Sequence, residues 1–153
     1  MAAPNVEELE RQFNAAMEDA DKGTTLEAIR RVYGEFESED PEAVSAIVHS
    51  RFEITIHSFF LDGRSYKGVR GFAAWRKEMD KLFDEERFQP VGVRSAGSDR
   101  WVVLGRMHVK EADGGAELDV PLAHVLEQRD RKVARLAIYS DITAALDSVG
   151  LYH

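Results

Sequence analysis

A chain of 153 residues, 44% apolar and 31% charged, has the size and composition of one globular domain around a single core. It has no cysteine, which excludes disulfides, thiolate metal sites and thiol nucleophiles, and its formal charge of -8 sets it against nucleic acid and anionic membrane surfaces as main partners. No apolar run reaches the length of a membrane span and the N-terminus lacks the basic-then-apolar pattern of a signal peptide, so a cytoplasmic protein is expected.

Val6, Leu9, Phe13, Met17 and Ala20 recur at helical spacing and predict a helix over 6–20, ended by Lys22-Gly23. Thr24 and Glu27 have the spacing of a capping box, and Ile29, Val32, Tyr33 and Phe36 give the next helix its buried face. Asp40 caps a third helix that carries Pro41 at its first position and ends near His49. Phe52, Ile54 and Ile56 then alternate with Glu53, Thr55 and His57, the period of a half-buried strand. Leu61-Asp62-Gly63-Arg64 reads as a turn, and after Gly68 a helix buries Val69, Phe72, Trp75, Met79 and Leu82.

Four strands follow: a short one near 88–95, then about 99–111, 116–128 and 132–140, with turns at Asp113-Gly114-Gly115 and Asp130-Arg131. Asp141 is placed to cap a short final helix. Residues 1–24 form a helical extension and residues 25–153 one domain. Glu35, Glu37, Glu39 and Glu42 read as a solvated acidic surface, and no grouping of histidines and carboxylates has the spacing of a metal site.

The order of these elements, with Asp40-Pro41-Glu42-Ala43, the Gly68 helix entry, Pro121-Leu122-Ala123-His124-Val125 and the closing Tyr139-Ser140-Asp141, resembles the SnoaL-like branch of the nuclear-transport-factor-2-like superfamily. That resemblance implies an α+β cone: a strongly curved sheet wrapped around three helices, with an internal pocket. It also implies a small hydrophobic ligand, no cofactor, and a homodimer formed through apolar residues on the sheet's outer side. Ketosteroid isomerases of the superfamily keep an aspartate base, a tyrosine and a second acid. The resemblance sets these at Ile56, Val32 and Ala123, so that machinery is missing. The epoxide-hydrolase branch keeps an Arg-x-Asp pair and a final acid, which here correspond to Arg106-Met107-His108 and Ile138.

Arg106 and His108 are two residues apart and share one strand face. In the pocket, His108 would serve as base and Arg106 as electrostatic stabiliser, with Asp119 orienting the histidine from the next strand. The same spacing fits a strand running from buried to exposed, with Arg106, His108 and Lys110 in solvent. Val32, Ile56, Ala123, Leu136 and Ile138 are expected as apolar lining, Trp75 as the pocket floor, and Tyr33 or Tyr139 as a donor.

His57 is expected at the rim and His124 packed at a sheet or dimer interface, while His49 and His153 carry no role. Two functions fit. One is a cofactor-independent acid–base enzyme of the cyclase, isomerase or dehydratase class, acting on a small hydrophobic carbonyl or hydroxyl compound. The other is a non-catalytic hydrophobic-ligand-binding or dimeric scaffold protein.

Overall fold

The computed structural model describes residues 5–38 and 40–151; Glu39 of the acidic run and His153 lie outside them. In chain order the elements are α1 (Val6–Met17), α2 (Thr24–Glu37), α3 (Pro41–Ile47), β1 (Val48–His57), β2 (Ser65–Lys67), α4 (Gly68–Leu82), β3 (Phe83–Ser95), β4 (Arg100–Glu111), β5 (Glu117–Arg129), β6 (Lys132–Tyr139) and α5 (Ile142–Ser148).

Local chemistry sets most of these boundaries. Asn5 caps α1 by accepting the Glu8 N–H at 3.2 Å, and Asp40 caps α3 by accepting that of Glu42 at 3.0 Å, with Pro41 in the first turn. Asp141 caps α5 through the Ala144 N–H at 3.1 Å. The expected capping box of α2 does not form. Gly23 takes the cap position, so Thr24 is already helical and Glu27 N–H bonds the Gly23 carbonyl. The helix before β1 stops at Ile47 because Val48 is already buried in the sheet. The strand expected at 88 begins at Phe83, directly out of α4. The β5–β6 hairpin turns on Asp130 and Arg131, both left-handed at φ 53° and 65°, which suits the twist of a two-residue loop.

One six-stranded sheet results, in the order β2-β1-β6-β5-β4-β3. The β1–β6 pair is parallel and every other pair antiparallel. Strand period two divides its side chains between two cores. Val103, Met107 and Val109 of β4 and Val120, Leu122 and Leu126 of β5 join the inner core, where α2, α3 and α4 pack. Val102, Leu104, Ala123, Val125 and Ala137 face the other way, against Phe13 and Ala16 of α1 and Ile142, Ala145 and Leu146 of α5. The outer face expected to meet a second copy is thus covered, over β4, β5 and β6, by two of the chain's own helices.

Candidate active site

The inner face of the sheet and the helices α2 and α4 enclose a cavity of about 340 Å³. Its wall is mostly apolar: Phe36 from α2, Phe72, Trp75 and Met79 from α4, Ile56, Leu136 and Ile138 from β1 and β6, and Phe88, Met107 and Leu122 from β3, β4 and β5. Phe60, from the loop after β1, adds a ring packed edge-on against Phe83. Charged side chains gather where the lining nears solvent: Glu37 and Arg87, both exposed, and Arg76 and Glu86, both half-buried.

Two polar groups lie deep in this wall. The Tyr33 hydroxyl and His124 Nδ1 are 2.6 Å apart, with the tyrosine 6% and the histidine 5% exposed. The pair is held by aromatic packing. Phe88 stacks on the imidazole at 3.9 Å and 17°, and also contacts the Tyr33 ring at 5.4 Å. Gly105 makes that stack possible, since a Cβ there would fall 2.5 Å from the Phe88 ring. Burial lowers the His124 pKa from the ordinary 6.5 to about 3, so the ring is neutral at physiological pH. It also raises the Tyr33 pKa well above the usual range.

In either tautomer the neutral pair keeps one free donor. If Tyr33 donates to Nδ1, His124 Nε2–H remains; if Nδ1–H donates, the Tyr33 O–H remains. Among the described residues the Tyr33–His124 bond is the one side-chain hydrogen bond that either group makes.

Glu86 lies two residues before Phe88 on the same strand face, about 7 Å further along at the ordinary strand rise. Burial raises its pKa, an effect partly opposed by the nearby Arg76 guanidinium and reinforced by the Asp80 and Glu37 carboxylates. Arg76 itself donates to the Phe36 carbonyl at 2.8 Å, at the end of α2, and lies 6.0 Å from the centroid of the Phe72 ring. Ser58, 6% exposed, adds a hydroxyl to the wall.

Of the residues expected from sequence, Tyr33, Ile56, Trp75, Leu136 and Ile138 are in this wall. Val32 instead lines a second cavity, also of about 340 Å³, beside Ile29, Trp101, Leu126 and Val133. That space has no buried titratable group, so the first cavity is the better candidate. Ala123 turns outward into the outer core, because the strand phase of β5 is opposite to the one the resemblance implied, and Tyr139 turns outward as the strand neighbour of the inward Ile138. Tyr139 stacks on the exposed His57 ring at 4.6 Å.

Arg106, His108 and Asp119 are also on the outer side, in phase with Val102, Leu104 and Ala123. Arg106 donates to Asp119 at 2.9 Å and to Glu10 of α1 at 2.7 and 3.2 Å. His108 is paired across the ladder with Asp119, and none of the three borders the cavity. His124, expected at an interface, is instead the buried imidazole of the cavity wall. Glu86, Arg76 and Ser58 were not anticipated.

The sequence model of the SnoaL-like domain family matches residues 29–136, which hold the cavity wall apart from Ile138. The chain belongs to the SnoaL-like domain family. No curated protein matches it. Among solved structures, this SnoaL-like protein is similar to TerC co-crystallised with polyporic acid, at 24% identity over 80% of this chain and 95% of that one, with a TM-score of 0.63. A nuclear-transport-factor-2-like protein from Burkholderia thailandensis is 17% identical over 82% of this chain and 96% of that one, with a TM-score of 0.65. A protein of ketosteroid isomerase-like fold from Catenulispora acidiphila, in complex with trimethylamine, is 16% identical over 78% and 88%, with a TM-score of 0.60. At these identities the likeness concerns the fold. Among the described residues no group of three or more histidines and carboxylates is placed to hold a metal ion, and no helix is long and apolar enough to cross a membrane.

Proposed function

We propose that this SnoaL-like protein binds a small, mostly apolar molecule carrying a carbonyl or hydroxyl group, and moves a proton on it without a cofactor. The observation that carries the reading is the 2.6 Å Tyr33–His124 pair in a mostly apolar wall. A neutral donor pair in a low-dielectric site stabilises negative charge developing on a substrate oxygen far better than it would in water. Glu86 is the proton acceptor in this reading: its carboxylate takes the proton from the carbon beside the carbonyl, the electron pair moves to oxygen as an enolate, and Glu86 returns the proton to the product. The desolvation that raises its pKa makes it a stronger base than a solvated carboxylate. TerC, a protein similar in fold, was co-crystallised with polyporic acid, which supports a small organic molecule as the ligand class.

Exchange of the α-protons of 2-tetralone for deuterium, followed by NMR, tests the reaction. Wild-type protein should accelerate exchange above the buffer rate, Glu86→Gln should abolish the acceleration, and His108→Ala should leave it unchanged. No acceleration by the folded wild type, or full retention in Glu86→Gln, contradicts the acid–base reading. Binding without exchange would favour the second reading, a non-catalytic carrier of the same ligand class, which the mostly apolar wall also supports. A homodimer, the other expectation from sequence, would have to use a surface other than the one under α1.

A further inference from the structure

Five strand residues of the outer face, Val102, Leu104, Ala123, Val125 and Ala137, are sealed to between 0 and 2% exposure. The helices α2, α3 and α4 lie on the inner side and contribute nothing to that seal. Part of the cover is the seven-residue α5, and the rest is α1 through Phe13 and Ala16.

Three contacts fix α1 in place. Arg106 clamps Glu10 of α1 to Asp119 of β5, and its guanidinium lies 5.8 Å from the centroid of the Phe13 ring. Gly92 makes room for the end of the helix, since a Cβ there would come within 2.7 Å of the Met17 sulfur and 2.9 Å of the Ala20 Cβ. Finally, Asp21 and Val93 exchange backbone hydrogen bonds of 2.7 and 3.0 Å, tying the short α1–α2 link to β3 of the same chain. The solvent side of α1 presents Glu7, Arg11 and Asn14 beside the exposed Val6 and Ala15, with Glu18 just past its end, a mostly polar surface. The helix also precedes residue 29, where the family match begins.

We propose that α1 is a built-in cover that closes the outer sheet face within one chain, that this chain is a monomer with α1 seated, and that unseating α1 turns this face into a contact between two copies. An apolar patch of this kind, once open, is self-complementary across a two-fold axis and associates to leave water. With α1 seated, two copies meeting on this side would bring polar helix surfaces together and gain little burial.

Sedimentation velocity over a wide concentration range tests the proposal. The wild type should run with the mass of one chain throughout. Phe13→Asp, which sets a carboxylate in the outer core, should shift toward twice that mass as concentration rises while its circular dichroism stays that of a folded protein. Should that variant fail to fold, Arg106→Glu, which opposes Glu10 and Asp119 with a third acid, provides the milder opening and the same mass shift. A dimeric wild type overturns the proposal, and so does a folded variant of either kind that stays monomeric at the highest concentration.

Discussion

The two faces of one sheet handle polar groups in opposite ways. On the inner face a single imidazole and a phenol are buried with each other, neutral, beside a cavity of about 340 Å³. On the outer face the polar side chains Arg106 and Asp119 sit at the margin of a closed apolar cluster, ionised, paired and partly open to water. The difference follows from solvation: a charge is cheap where water reaches it and costly where water does not. It sets the inner face apart as the candidate site, because that face carries a buried polar pair with a further hydrogen-bonding capacity that none of the described residues uses.

The largest effect that sharpens this contrast is acid sensitivity. Folding lowers the His124 pKa from 6.5 to about 3, so below pH 6.5 the unfolded chain binds a proton that the native ring refuses. Stability from this group is therefore complete above pH 6.5 and falls as pH drops toward 3, by up to about 1.4 kcal/mol per pH unit. Denaturant midpoints between neutral and acid pH should show that slope, and His124→Gln should flatten it, whereas His108→Gln should not.

Next in size is Gly105→Ala. Its methyl would meet the Phe88 ring at 2.5 Å, and the overpacking should cost about 1–3 kcal/mol in equilibrium unfolding. Phe88 would also be pushed off His124, so ligand binding should weaken in the folded fraction.

Removing a charge from the outer face should matter least. Arg106 leaves 36% of its side chain exposed, and such pairs contribute up to about 1 kcal/mol, so Arg106→Ala should shift the unfolding midpoint slightly and less at high salt. A loss of several kcal/mol there, larger than that at Gly105, would break the comparison.

The order of the elements was legible in the sequence because period-two and helical spacing are local signals, and the cone with five of its wall residues followed from that order and the resemblance. The face of each strand was harder to read. Leu118, Val120, Leu122, His124 and Leu126 form the more apolar row of β5, while Asp119 and Glu127 sit in the other row. Apolarity alone assigns the first row inward and His124 with it, but the resemblance at Pro121 and Ala123 pointed the opposite way. Of the two placements open for Arg106, His108 and Asp119, pocket or solvent side, the structure has the second, set by the same one-residue phase.

Glu86 was hidden by a boundary. With β3 expected near 88, the glutamate fell outside any strand, whereas the strand runs from Phe83 and puts Glu86 in phase with Phe88. No local pattern announced the Tyr33–His124 contact, which joins residues 91 apart in sequence.

The central claim is that the Tyr33–His124 pair receives the oxygen of a bound apolar molecule. Imidazole nitrogen NMR during titration with 2-naphthol, an apolar ring bearing one hydroxyl, tests it most directly. The account predicts saturable shifts of the His124 nitrogens, no saturable shift at His108, and loss of most of the affinity in Tyr33→Phe. Saturable binding that leaves His124 unmoved, or that shifts His108 instead, would contradict it.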